Sequence, residues 1–308
     1  MKIDVKQMSL DLHKEYKGEI KVEAIIPVTN KEKLSLAYTP GVAAPCLEIA
    51  KNKEKAYDYT LKGRSVAVIS NGTAVLGLGD IGAFGSLPVI EGKALLHKSF
   101  AGTDAYPIAI DATDKDEIVS VIKAISPGFA GIHLEDIKAP ECFYIEDKLK
   151  EVLDIPVYHD DQHGTAISVL AGLYNGLRIV NKNIEDIKVV IDGAGASGIA
   201  IANLLLSAGV KDIVLCDING ALIEGDKSLN KAQEKIAKLT NRNFETGYIE
   251  DLIKGKDVFI GVCVGNVVTT EMIKTMNKDS MVFALANPIP EILPKYAKLG
   301  EARITATG

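Results

Sequence analysis

The stretch from Lys188 to Ala200 constrains the fold of this chain more than any other. Lys188-Val189-Val190-Ile191 is a run of strand formers that feeds directly into Asp192-Gly193-Ala194-Gly195-Ala196-Ser197-Gly198, and an apolar helical pattern follows. A strand, a GxGxxG turn and a helix in immediate succession open a doubly wound parallel sheet that binds a dinucleotide. Gly193 is expected to make the tight turn, and Gly195 to let the backbone approach a pyrophosphate. Gly198 is expected to let the helix pack closely on the strand. Ala194, Ala196 and Ser197 complete the turn, with the phosphates at the helix N-terminus. The next strand-like run, Ile213-Val214-Leu215-Cys216, ends at Asp217. An acidic residue about twenty positions beyond the glycines binds the adenine ribose hydroxyls. Its carboxylate should repel a 2′-phosphate, so NAD is expected over NADP, although Lys227 or Lys231 could contact such a phosphate. The plainer readings are a structural turn for the glycines and a solvated turn residue for Asp217.

Further strand-like runs lie at 65–69, 108–110, 131–134, 258–262 and 281–286, with helical patterns at 165–180 and 198–208. This alternation predicts an α/β fold with parallel sheets buried on both faces. At 308 residues the chain is long enough for two domains. A boundary near residue 160 divides it into 1–160 and 161–308. No Gly/Ser linker separates the halves, so a shared, packed interface with a cleft is expected.

Composition narrows the partners. Acidic residues number 41 against 35 basic ones, a net charge of −6, which argues against a nucleic-acid or anionic-membrane surface. Cys46, Cys142, Cys216 and Cys263 form no CxxC pair, and they are expected to be buried thiols in a reducing compartment. The first twenty residues have charges throughout and no apolar core of a signal peptide, so a cytoplasmic protein is expected.

Two acidic pairs follow strand-like runs: Glu135-Asp136 after 131–134, and Asp160-Asp161 after Pro156-Val157-Tyr158-His159. Three converging carboxylates would suit a hard octahedral cation such as Mg²⁺ or Mn²⁺. Neighbours on a regular strand face opposite ways, so Glu135 and Asp136 could share an ion only if the strand ends or bends there. Ordinary helix capping by Asp161 is the equal alternative on pattern alone. His159-Asp160-Asp161-Gln162-His163 places histidines four apart, but it lacks the glutamate of a zinc-protease HExxH motif.

Six ordered segments add to this pattern. They are Ala37-Tyr38-Thr39-Pro40-Gly41-Val42-Ala43, Leu76-Gly77-Leu78-Gly79-Asp80-Ile81-Gly82 and Glu91-Gly92-Lys93-Ala94-Leu95-Leu96, then His133-Leu134-Glu135-Asp136, His159–Ala166 and Phe283-Ala284-Leu285-Ala286-Asn287-Pro288. Together with the glycine turn they resemble malic enzymes of the small prokaryotic type over nearly the whole chain. The resemblance implies an N-terminal α/β substrate and metal domain followed by a Rossmann-type domain. It implies oxidative decarboxylation of (S)-malate to pyruvate and CO₂ with NAD(P) and Mg²⁺ or Mn²⁺, and a homodimer. It also implies Glu135, Asp136 and Asp161 as metal ligands, Lys93 as the base and Tyr38 as the proton donor. Asn287 would lie near substrate and nicotinamide ribose, and Asp160 would orient a ligand or the lysine. Read alone, Lys93 is a solvated helix residue, Tyr38 a half-buried loop aromatic and Asn287 a turn residue.

Two departures bear on function. Large eukaryotic relatives carry an arginine for a malate carboxylate just before the glycine-rich run, whereas this chain has Asn71-Gly72-Thr73-Ala74-Val75. Backbone amides near Gly77 and Gly79, or alternatively a residue from another subunit, are expected to serve instead. The chain ends at Ile304-Thr305-Ala306-Thr307-Gly308, which resembles the middle of the family's last strand and loop, so the resemblance implies a missing C-terminal segment. A catalytically inert dinucleotide-binding protein and a malolactic enzyme, which converts malate to lactate on bound NAD, are the rival readings.

Overall fold

The computed structural model describes residues 4–75 and 77–308. Leu76, the first residue of the glycine-rich run, lies outside them. The chain divides into two compact units: Met1–Thr73 with Asp80–Asp136 and Ile145–Tyr158, and Ala74–Gly79 with Ile137–Tyr144 and His159–Gly308.

The first sheet has four strands, β1 (Ser65–Ser70), β2 (Asp104–Ala109), β3 (Gly131–Leu134) and β4 (Val157–His159), in the order β2-β1-β3-β4. β1 pairs in parallel with both β2 and β3. β2 begins four residues before the run at 108–110 because Pro107 lies inside it. Proline cannot donate to a ladder and is tolerated where β2 sits, at a sheet edge. Val68, Ile90, Ala94 and Ala105 form a buried cluster that seats the helix Gly82–Leu96 on this sheet.

The second sheet has six strands: β5 (Lys188–Asp192), β6 (Asp212–Asp217), β7 (Gly220–Ala221), β8 (Val258–Gly261), β9 (Met281–Ala284) and β10 (Ile304–Thr307). Their order is β10-β9-β8-β5-β6-β7, all pairings parallel except the short β6–β7 hairpin. The central strands are apolar on both faces because helices cover both. Val189, Ile191, Ile213 and Ile260 belong to one buried cluster, and Val190, Val214, Phe259 and Val282 to another. Each such side chain contributes about 1.5–3 kcal/mol on burial. The doubly wound α/β architecture expected from the alternation is present. The long helix runs from Asp160 to Val180, five residues earlier than the apolar pattern at 165–180, because Gly164 interrupts the periodicity without ending the helix.

A polar clasp closes the N-terminal edge of this sheet. Asp257 accepts hydrogen bonds from Lys182 Nζ (2.7 Å), the Lys188 amide (2.8 Å) and Asn277 Nδ2 (3.1 Å). Burial alone would raise its pKa, yet these donors hold the carboxyl below the ordinary carboxylate range. Its stabilisation is therefore complete above the unfolded value of about 3.9 and lost as pH falls through the lower folded value. Asp257→Asn should cost about 1–3 kcal/mol in urea unfolding at pH 7. That difference from wild type should shrink in acid below the folded value.

Among the described residues no helix is long and apolar enough to cross a membrane. Cys142 and Cys216 are buried as expected, but Cys46 and Cys263 are exposed.

Candidate active site

In the first unit the acidic pair sits where β3 stops. Leu134 is the last strand residue, and Asp136 takes a left-handed backbone with φ of 52°. The alternation of a strand is broken at this point, so carboxylate oxygens of the two neighbours come within 4.8 Å of each other. Glu135 is 3% exposed and Asp136 1%. Two buried carboxylates side by side repel unless cations or donors face them. Lys93, from the last turn of the helix Gly82–Leu96, places Nζ 3.2 Å from Glu135 Oε1. His133, two residues before Glu135 and so on its face of β3, places Nε2 2.7 Å from Oε2. Tyr38 caps the C-terminus of the helix Lys31–Ala37 and is 67% exposed, more open than the half-buried loop aromatic that the residue suggests when read alone.

In the second unit Asp160 and Asp161 form the first turn of the long helix, where its dipole favours acids. Gln162 Nε2 lies 3.1 Å from Nδ1 of the fully buried His159, whose Nε2 is 3.1 Å from Asp161 Oδ2. Ser197 donates to the Asp161 carbonyl at 2.7 Å, which joins this turn to the glycine turn.

The three glycines divide their roles by sterics. Gly193 has φ of 118°, and a Cβ there would lie 2.9 Å from the Val262 carbonyl oxygen. Gly195, the N-cap of the helix Ala196–Ser207, has open space where its Cβ would be. At Gly198 a Cβ would run into the Gly193 carbonyl. Ala194, Ala196 and Ser197 complete the turn into that helix. Asp217 closes β6 and is not merely solvated: Oδ1 accepts from the Asn219 amide at 2.7 Å and Oδ2 from Gln233 Nε2 at 3.3 Å. Asn287 lies three residues beyond β9 and is exposed, and a Cβ on Gly77 would meet its carbonyl oxygen at 2.9 Å. Gly77 therefore lies against the loop that carries Asn287.

Residues 16–150 match the family description "Malic enzyme, N-terminal domain", and residues 162–298 match "Malic enzyme, NAD binding domain". Across 307 residues the chain is 50% identical to the bifunctional malic/malolactic enzyme of Bacillus subtilis, covering 99% of this chain and 75% of that protein. The chain belongs to the malic enzyme family. It is 51% identical to the NADP-dependent malic enzyme of Escherichia coli, over 96% of this chain but only 39% of that longer protein. The crystal structure of the NAD-dependent malic enzyme from Thermotoga maritima superposes with a TM-score of 0.95 at 46% identity, covering 97% and 80% of the two chains. Residues 162–298, within the second unit, thus correspond to the family's NAD binding domain.

Sequence reading missed three groups. His97 escaped notice because a lone histidine carries no pattern, and His133, though part of a family segment, was given no role of its own. Glu291 is fully buried and accepts from the amides of Cys263 and Ala286, each at 3.1 Å. Burial pushes its carboxyl up, and the two amides pull it partly back. No local signal in the sequence marks a residue whose partners are 5 and 28 positions away.

Proposed function

We propose that this chain oxidises (S)-malate with NAD(P)⁺ and releases pyruvate and CO₂. The observation that carries the reading is the buried Glu135-Asp136 pair turned to one side with the Lys93 ammonium against it, inside a chain of this family. All-oxygen donors of this kind fit Mg²⁺ or Mn²⁺. Glu135, Asp136 and Asp161 would hold the ion. When bound, it would draw electron density from the substrate's C2 oxygen and steady the enolate after decarboxylation.

Lys93 in its neutral form takes the C2 hydroxyl proton as hydride leaves C2 for the nicotinamide. Loss of CO₂ then breaks the C3–C4 bond, and Tyr38 returns a proton to C3. One proton leaves the substrate and one comes back, so malate and NAD(P)⁺ give pyruvate, CO₂ and NAD(P)H in balance. Asp160 orients Asp161 or Lys93. Asn287 faces substrate and nicotinamide ribose, and amides near Gly77 and Gly79 receive a substrate carboxylate. The glycine turn from Gly193 to Gly198 binds the pyrophosphate. Asp217, held by Asn219 and Gln233, receives the adenine ribose and favours NAD. A homodimer completes the proposal.

The name of the Bacillus relative keeps one alternative in view, malate to lactate on retained NAD. Incubation with L-malate, Mn²⁺ and either NAD⁺ or NADP⁺ separates the readings. Equal amounts of NADH and pyruvate, abolished by EDTA, are expected. Lactate without free NADH would favour the malolactic reading, and NADH binding without turnover would reduce the chain to a dinucleotide-binding protein.

A further inference from the structure

Outside the groups used above, the first unit contains a histidine beside His133 that has no assigned task. His97 follows the helix Gly82–Leu96 and starts a short π-helical turn, His97–Ala101. It lies one helical turn beyond Lys93. Its Nε2 is 2.9 Å from Nδ1 of His133, the rings meeting edge to face at 5.1 Å between centroids. Tyr158 packs edge-on against His133 at 5.2 Å, so the imidazole is gripped by two rings.

The direction of the chain follows from donor chemistry. A carboxylate only accepts, so the 2.7 Å contact to Glu135 Oε2 requires the proton of His133 on Nε2. In the neutral ring Nδ1 is then the acceptor, and the proton between the two rings belongs to His97 Nε2. His133 is 5% exposed, so without His97 a buried acceptor would lose this donor and the ring its orientation. The second unit has a parallel arrangement. Gln162 Nε2 can only donate, so His159 Nδ1 accepts, and His159 Nε2 faces Asp161 at 3.1 Å. A side-chain donor behind a buried imidazole thus occurs twice among the described residues, but only His133 passes a hydrogen bond on to its carboxylate.

We propose that His97 is a positioning residue for Glu135. Its Nε2–H holds His133 as an Nε2–H donor, which ties down Glu135 Oε2 and leaves Oε1 facing Lys93. The importance of this for catalysis rests on reading Glu135 as a cation ligand. Loss of an outer hydrogen-bond partner of a metal ligand typically weakens metal binding about 10–100-fold.

Two measurements test it. In ¹⁵N-histidine-labelled protein without metal, NMR should show a trans-hydrogen-bond N–N coupling from protonated His97 Nε2 to unprotonated His133 Nδ1. In electron paramagnetic resonance titration with Mn²⁺ alone, His97→Phe should bind at least about fivefold more weakly. His97→Gln, which supplies the donor that Gln162 supplies to His159, should recover most of that loss. NADH affinity should be unchanged in both variants. A proton on His133 Nδ1, an absent coupling, or equal Mn²⁺ affinity in His97→Phe and wild type would overturn the proposal. If the coupling is present and the wild-type chain binds no Mn²⁺, the cation reading of Glu135 fails while the positioning by His97 stands.

Discussion

Lys93→Ala is expected to lower malate oxidation by about 10²–10⁴-fold, the range that a positioned acid–base group supplies. The loss should fall on kcat, because the missing amine acts on the hydroxyl proton rather than on the dinucleotide. NADH binding should stay within about twofold of wild type, since the glycine turn lies in the other unit. Mn²⁺ binding should persist as well. The substitution removes the ammonium 3.2 Å from Glu135 Oε1 and leaves the carboxylate in place. Stopped-flow NADH formation with a parallel Mn²⁺ titration reads both quantities. Turnover near the wild-type rate would remove Lys93 from the mechanism, and loss of Mn²⁺ binding would show that the lysine mainly holds the site's shape.

Gly198→Val should have the largest structural effect in the second unit. A Cβ at this position runs into the Gly193 carbonyl, which is backbone and cannot swing aside, and Ile191 Cγ2 waits at 3.5 Å. Either the helix Ala196–Ser207 lifts from β5 or the turn opens, at about 3 kcal/mol or more. NADH affinity should fall more than about 100-fold, by loss of the amide geometry at the turn, and the thermal midpoint should drop. Fluorescence titration of NADH checks the first and calorimetry the second. Gly195→Ala is the natural comparison, because among the described residues nothing beyond its chain neighbours lies within 4 Å of that Cβ. A Gly198→Val chain that keeps wild-type affinity would mean that the turn does not determine binding.

The parts of this molecule visible in the sequence are those whose causes are local. β3 and the turn after β5 could be read directly, since strand formers and glycines act within a few residues of themselves. Pro107 hid the start of β2, because whether a proline is tolerated depends on which strand ends up at the edge. Gly164 masked the first turn of the long helix, whose opening acids carry the signal that periodicity lacks. At the site, Glu135 and Asp136 could be nominated as neighbours, but the left-handed residue that turns them to one side could not be inferred from β-propensity. His97, 36 positions from His133, was invisible for a similar reason. Its role exists only once the helix Gly82–Leu96 lies on the sheet and brings the two rings together. The ties of Glu291 to the ends of β8 and β9 likewise depend on the completed sheet.

The backbone at Asp136 limits how this site could change over time. With φ of 52°, the position suits glycine, asparagine and aspartate and penalises other residues by about 1–3 kcal/mol. Of these three, only aspartate offers a carboxylate. A lineage that lost the acid would be steered to asparagine or glycine, which keep the turn, and from either the acid can be regained without first rebuilding the fold around it. The turn would thus preserve the place of the carboxylate even through a period when the carboxylate itself was gone.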